Sequence, residues 1–264
     1  MTAKCTSDME GYTVLSLFRK SLNTGIVTTT YPDEPDIPRE GYRGLPEREA
    51  DKCTLCGRCS DVCQTDAITI TINVETGTAW SLDPKRCLFC GYCVEACPEG
   101  ALKMSLTYEL AERATATQTA ESSVEAASAV KRLLGRSINI RHLDSGSCNA
   151  CEWEMTTLTG PVYDIQRLGF DFVASPRHAD LLMVTGPVTR NLEIAVKKTY
   201  SATPAPKIIV AVGTCACSGG ICGQSYASAG GVNQILPVDI YIPGCPPRPQ
   251  ALIHGLLQAM EKDR

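Results

Sequence analysis

No run of about eighteen or more apolar residues occurs in this chain, which excludes a simple hydrophobic membrane-spanning helix. The start also lacks a basic segment followed by an apolar stretch and a small-residue cleavage site, so a cytoplasmic location is expected. Positive charge is not in excess either. Lys and Arg number 25 against 29 Asp and Glu, and a net charge of -4 leaves no basic field for a nucleic-acid backbone. What the chain does have is cysteine, 15 among 264 residues. Cytosolic thiols stay reduced, so this number points to metal or cluster ligation rather than disulfides. The odd count and close grouping argue the same way.

The length suits two modest domains better than one. Residues 12–24 place Val14, Leu15, Leu17, Phe18 and Leu22 on one side of an amphipathic helix, with Arg19 and Lys20 on its rim. The segment YPDEPDIPREGYRGLPE follows, with four prolines and few apolar residues, and is expected to be an extended linker packed on another part of the chain. Next comes an internal repeat. KCTLCGRCSDVCQTDAITI from Lys52 matches RCLFCGYCVEACPEGALKM from Arg86 at an offset of 34 residues. Residues 107–136, rich in Ala, Thr, Ser and Glu, suit a connector. From Ser137 the pattern changes to short apolar strands, INIRHL, ADLLMVTG, IIVAVG and DIYIPG, separated by helix-like segments. That alternation predicts a parallel α/β sheet.

Cys53, Cys56, Cys59 and Cys63 form a C-x2-C-x2-C-x3-C run, and Cys87, Cys90, Cys93 and Cys97 form a second. In this pattern three thiolates wrap one face of a 4Fe-4S cube, and the fourth crosses to the other cube. The expected sets are therefore Cys53, Cys56, Cys59 and Cys97 for one cluster, and Cys87, Cys90, Cys93 and Cys63 for the other. Gly57 and Gly91 sit where the backbone must approach the cube. Zinc knuckles are the rival reading, but two complete four-cysteine runs disfavour them. The segment resembles the two-cluster ferredoxins. With the preceding proline-rich stretch it is similar to the ferredoxin-like subunit of respiratory complex I and its membrane-bound hydrogenase relatives. That resemblance implies that the amphipathic arm lies along the membrane arm or the bilayer interface. An ordinary helix packed on its own domain is the alternative.

A third constellation comes from SGSCNACEWE, VGTCACSGGIC and PGCPPRP. Its candidate ligands are Cys148, Cys151, Cys215, Cys217, Cys222 and Cys245, each group following an apolar strand, where sites gather in open parallel sheets. Taken as an extended segment, Cys215 and Cys217 would face the same way and compete for one cluster. Cys222 and Cys5 have no partner spacing. Glu152 and Glu154 flank the loop, either as proton carriers or as favourable helix-dipole partners. Arg177 and His178 are candidates for tuning charge near a cluster, or for surface ion pairs.

From about Ile138 to Leu257 the sequence resembles the small subunit of energy-converting NiFe hydrogenases and the cluster-bearing subunit of complex I. SPRHADLLMVTGPV, VAVGTCACSGG and VDIYIPGCPPRPQALIHGLL carry most of the likeness. The resemblance implies Cys148, Cys151, Cys215 and Cys245 as ligands. The C-x2-C spacing of the first two matches hydrogenases, where complex I subunits have adjacent cysteines, although CNACE departs from the CNGCD form.

The expected whole is an arm and linker (1–45), a two-cluster ferredoxin-like α+β domain (46–106), a connector (107–136) and a flavodoxin-like α/β domain (137–264). Three 4Fe-4S clusters would carry single electrons from a donor or dehydrogenase subunit to a large catalytic subunit. The chain itself has no recognisable nickel ligand set. The implied assembly includes membrane-arm subunits, with this chain peripheral on the cytoplasmic side. The rivals are the same wire in a quinone- or other acceptor-reducing complex without nickel, and a soluble multi-cluster carrier. A flavin site is disfavoured by the cysteines at the strand ends.

Overall fold

The computed structural model describes residues 14–73, 77–114 and 137–260. Cys5, the first two residues of the expected arm and most of the expected connector lie outside the described residues. Among the described residues no helix is long and apolar enough to cross a membrane.

The arm forms helix α1 (Val14–Thr24), none of whose residues is buried. Val14, Leu15 and Phe18 are exposed, so the helix does not pack on the chain's own core. The proline-rich segment does. The Thr29 amide donates to the Val162 carbonyl at 2.7 Å, and Arg167 donates to the Thr29 carbonyl at 2.8 Å. Tyr31 is fully buried, donates its hydroxyl to Glu109 at 2.8 Å, and meets Tyr108 edge-on at 6.0 Å. Asp36 pairs with Arg248 at 2.9 Å, and that guanidinium lies over the Tyr108 ring. The segment is a strap across the C-terminal sheet.

In the ferredoxin-like region, β1 (Pro46–Arg48) pairs antiparallel with β4 (Leu102–Met104), closing the ends of the repeat on each other. Between the two cysteine runs lies a hairpin of β2 (Ile68–Asn73) and β3 (Gly77–Leu82). The repeat in sequence is a repeat in backbone. Short helices α2 (Arg58–Asp61) and α3 (Tyr92–Glu95) start at Gly57 and Gly91, with φ of 87° and 85°. Leu55 and Phe89, at 56° and 57°, are also left-handed. A loop folded around a compact object needs such inward turns, which L-residues otherwise avoid.

The C-terminal region is a six-stranded sheet with helices on both faces. In chain order come β5 (Glu112–Arg113), β6 (Ile138–Asp144), α4 (Ala150–Thr157), β7 (Phe170–Phe172), β8 (Leu181–Thr185), α5 (Glu193–Ala202), β9 (Ile208–Val212), α6 (Gly213–Ser218), β10 (Ile240–Ile242) and α7 (Pro249–Ala259). The strands lie in the order β5-β10-β9-β8-β6-β7. All neighbours are parallel except β5, which runs antiparallel to β10. The five parallel strands have the flavodoxin-like order expected from the sequence. Their apolar runs are buried on both sides. Leu181, Met183, Ile208 and Val210 enter one core with Leu252 and Leu256 of α7, while Leu182, Val184, Ile209 and Ala211 enter a second with Val196 of α5. Period-two alternation between two closed faces is what a continuous aliphatic strand requires.

Residues 107–114 are tightly held. Tyr108 and Ala111 are buried, and β5 adds an edge strand to the sheet. Lys85, in the second cysteine run's approach, reaches Glu112 at 3.3 Å.

Candidate cluster sites

Cys53, Cys56, Cys59 and Cys97 line one cavity, with Gly57, Ile70, Trp80 and Leu102 completing its wall. The helix of the second run thus delivers Cys97 to the loop of the first. The Trp80 indole nitrogen is buried there with no oxygen or nitrogen partner, and it acts as a donor on the Cys59 thiol, which burial raises. Arg48 holds its guanidinium 5.6 Å from the centre of the Trp80 ring. Burial works to raise the Cys53 thiol, but the Leu55 amide and the Arg48 side chain reverse this and bring it below its ordinary value.

Cys63 belongs with the other loop. Burial pushes the Cys87 thiol up to about 12, reinforced by the charges of Cys93, Cys63 and Cys90. Cys93 is pushed up to about 11 by burial and by Cys90, with Cys59 and Cys63 adding to it. The fourth cysteine of each run is oriented identically. The Ala67 amide donates to Cys63 Sγ at 3.2 Å and the Ala101 amide to Cys97 Sγ at 3.3 Å, partners again 34 residues apart.

The third group gathers at the carboxyl ends of β6, β9 and β10. Burial raises the Cys151 thiol, and after Glu152 the charges acting on it are those of Cys215, Cys245 and Cys148. Those four sulfurs are mutual neighbours. Gly213, with φ of 83°, lets α6 begin directly at the end of β9, and a Cβ there would stand 2.6 Å from Cys151 Sγ. Cys217 points away from Cys215, so the competition that an extended segment would give does not arise, although the Cys151 charge adds to burial in raising its thiol. Residues 213–218 are helical, and positions two apart on a helix point about 200° away from each other. Its sulfur is buried in the second core and donates to the Ala211 carbonyl at 3.6 Å. Cys222 is exposed, although its charge is felt by Cys215.

Beside Cys151 is a polar trio, two members of which carry no sequence signal. Thr185 donates to Glu152 Oε1, and His142 Nε2 is 3.4 Å from the same oxygen and 2.9 Å from the Thr185 hydroxyl. Burial holds His142 below the usual imidazole range, against the pull of Glu152. Glu152 Oε2 is buried without a partner. Glu154 is raised by burial, with Arg248 opposing. Arg177 and His178 sit in a 3-10 turn at the amino end of β8. The strand separates them from the cysteines by about 16 Å, which leaves them surface roles.

An iron-sulfur cube fits these three sites on the chemistry of the donors. Each is sulfur-only, and burial and mutual repulsion hold back ionisation of Cys87 and Cys93 in the second and of Cys151, Cys215 and Cys245 in the third until a cation at the centre compensates them. Among the described residues no three His, Cys, Asp or Glu side chains stand at the spacing of a single-ion site. In the first cavity the indole N–H, with no oxygen or nitrogen acceptor, acts on the Cys59 sulfur.

Comparison with known proteins gives the same division. Residues 52–101 match the 4Fe-4S dicluster domain, so this region is a 4Fe-4S cluster-binding domain. Residues 148–259 match the family described as NADH ubiquinone oxidoreductase, 20 Kd subunit. A probable membrane-bound hydrogenase subunit of Pyrococcus furiosus is 46% identical over 131 residues, covering 50% of this chain and 78% of that one. Formate hydrogenlyase subunit 7 of Escherichia coli is 40% identical over 140 residues, covering 53% and 55%. An NADH-quinone oxidoreductase subunit of Clostridium beijerinckii is 52% identical over 113 residues, covering 42% and 67%. A parallel sheet with cysteines at its strand ends, matched in sequence over most of a relative's length, places this chain in the family of the NADH ubiquinone oxidoreductase 20 Kd subunit, here preceded by a 4Fe-4S dicluster domain.

Proposed function

We propose that the chain is an electron-relay subunit holding three 4Fe-4S clusters and serving the large catalytic subunit of a membrane-bound, hydrogenase-like complex. The first cluster is assigned to Cys53, Cys56, Cys59 and Cys97, the second to Cys87, Cys90, Cys93 and Cys63, and the third to Cys148, Cys151, Cys215 and Cys245. Bound in these sets, each cube supplies a one-electron acceptor and donor.

One observation carries the reading: neighbouring sulfur sets act on each other in sequence. Cys59 of the first set is felt by Cys93 of the second, and Cys90 of the second by Cys245 of the third. The protein keeps the second and third sites in register through the Thr214 hydroxyl, which donates to the Cys87 carbonyl at 2.7 Å. Arg43 donates to the Cys90 carbonyl at 2.9 Å and anchors the strap to the same loop. A free connector between independent carriers would need no such joints. The hydrogenase branch is supported by the C-x2-C spacing of Cys148 and Cys151 and by relatives named as hydrogenase and formate hydrogenlyase subunits. The exposed apolar face of α1 suits a membrane-arm subunit or bilayer surface on the cytoplasmic side.

Co-purification under mild detergent, followed by sequencing of the tightly bound large subunit, tests this. Two C-x2-C nickel motifs in that subunit are expected. Their absence would select a quinone- or other acceptor-reducing complex, and isolation of the chain without any partner or membrane association would leave a soluble carrier.

A further inference from the structure

The two four-cysteine loops repeat each other in backbone but not in the side chains laid over them. At the repeat's offset of 34 residues, Leu82 stands where Arg48 would recur and Ala114 where Trp80 would. Trp80 lies on the hairpin inserted between the runs, its ring in the small core formed with Cys59, Cys97 and Leu82. Its N–H is buried, lines the cavity of Cys53, Cys56, Cys59 and Cys97, and has no oxygen or nitrogen acceptor. A buried donor left without an acceptor is costly, so sulfur in that cavity is its natural partner. Arg48 is braced over the same ring and reaches Cys53.

The second loop is furnished differently. The Thr65 hydroxyl, 3.8 Å from Cys63 Sγ, gives its proton to the Arg86 carbonyl at 2.6 Å. Arg86 donates to the Thr65 carbonyl, and Arg43 to the Cys90 carbonyl, so neither cation is spent on sulfur. Cys87 and Cys93 are also the more buried thiols. Reduction adds negative charge to a cube. Hydrogen bonds and cations at its sulfurs stabilise that charge, while burial opposes it.

Resting on the cluster assignment above, we propose that Trp80 is a redox-positioning residue. Its indole N–H donates to a sulfur of the cube held by Cys53, Cys56, Cys59 and Cys97, and with Arg48 it makes that cube the more readily reduced of the ferredoxin pair. An electron entering the relay then rests at the first site until the onward acceptor is ready.

The test is an anaerobic redox titration of the full chain with all clusters loaded, followed by paramagnetic resonance. Trp80→Phe keeps the ring and removes the donor. It shifts the midpoint of one cluster to more negative values and leaves the other two unmoved, and Arg48→Met shifts the same midpoint in the same direction. Unmoved midpoints, or an equal shift of all three, overturn the proposal. Should Trp80→Phe lose the first cube, the loaded Trp153→Phe protein with 15N-indole tryptophan decides, because Trp80 is then the only labelled ring. A 15N coupling to a reduced ferredoxin cluster is expected, and its absence overturns the proposal. Iron and sulfide analysis of the unmodified chain separates this from failure of the assignment itself, in which no cubes would be found.

Discussion

The two halves of this chain are held together in different ways. In the sheet region, aliphatic strands close two cores, and the proposed ligands Cys148 and Cys245 are exposed additions at the strand ends. In the ferredoxin-like region the core is little more than Ile68, Leu102 and Cys93, packed against Cys59, Cys97, Trp80, Leu82 and Val94. There the proposed ligands are themselves part of the core. On the proposed assignment, metal-thiolate bonds add to this small core. On that assignment, one half is a fold that carries a cluster, and the other is a fold that its clusters help to make.

Removing iron should have the largest effect on that contrast. Anaerobic chelation should unfold the ferredoxin-like half and spare the sheet. By hydrogen exchange, the amides of β2 and β3 would exchange freely while those of β8 and β9 stay protected. A hairpin still protected without iron would show that the small core suffices. Next in size is truncation of Ile140, fully buried in the sheet. Ile140→Ala should cost about 2–5 kcal/mol in denaturant unfolding. Ile72→Ala in the exposed ferredoxin hairpin should change stability by less than about 0.5 kcal/mol. Equal costs would erase the distinction.

The pH also acts on the iron-free sheet. Burial raises Cys151 and Cys217, and pushes Cys215 from 9.0 up to about 11. Between those values the unfolded chain releases thiol protons that the folded chain keeps, so stability falls as pH rises. With a cluster bound, Cys151 and Cys215 are already thiolates and the slope diminishes. Denaturation midpoints at about pH 8 and pH 10, with and without iron, read the difference, and a flat iron-free profile would contradict it.

Much of this was legible from spacing. Two C-x2-C-x2-C-x3-C runs announce their loops because a cube fixes where thiolates must lie, and IIVAVG and ADLLMVTG announce buried parallel strands by having no polar face. Features built by single residues were not legible. Glu112–Arg113 is too short and too polar to read as a strand, and it forms one only because β10 offers an open edge. The competition between Cys215 and Cys217 could not be settled from spacing, because Gly213 starts a helix with no loop between strand and helix. Trp80, Arg48, His142 and Thr185 belong to no repeat, and their partners become visible only once distant segments are packed together.

The central claim is that three sulfur sets hold three separate cubes, of which the sheet's can be lost alone. The most direct measurement is iron and sulfide analysis with paramagnetic resonance on the anaerobic full chain and on Cys245→Ala. About twelve irons in three cubes, falling to about eight with the two ferredoxin signals unchanged, is the predicted result. Zinc in place of iron, or the disappearance of all three signals together in Cys245→Ala, would contradict it.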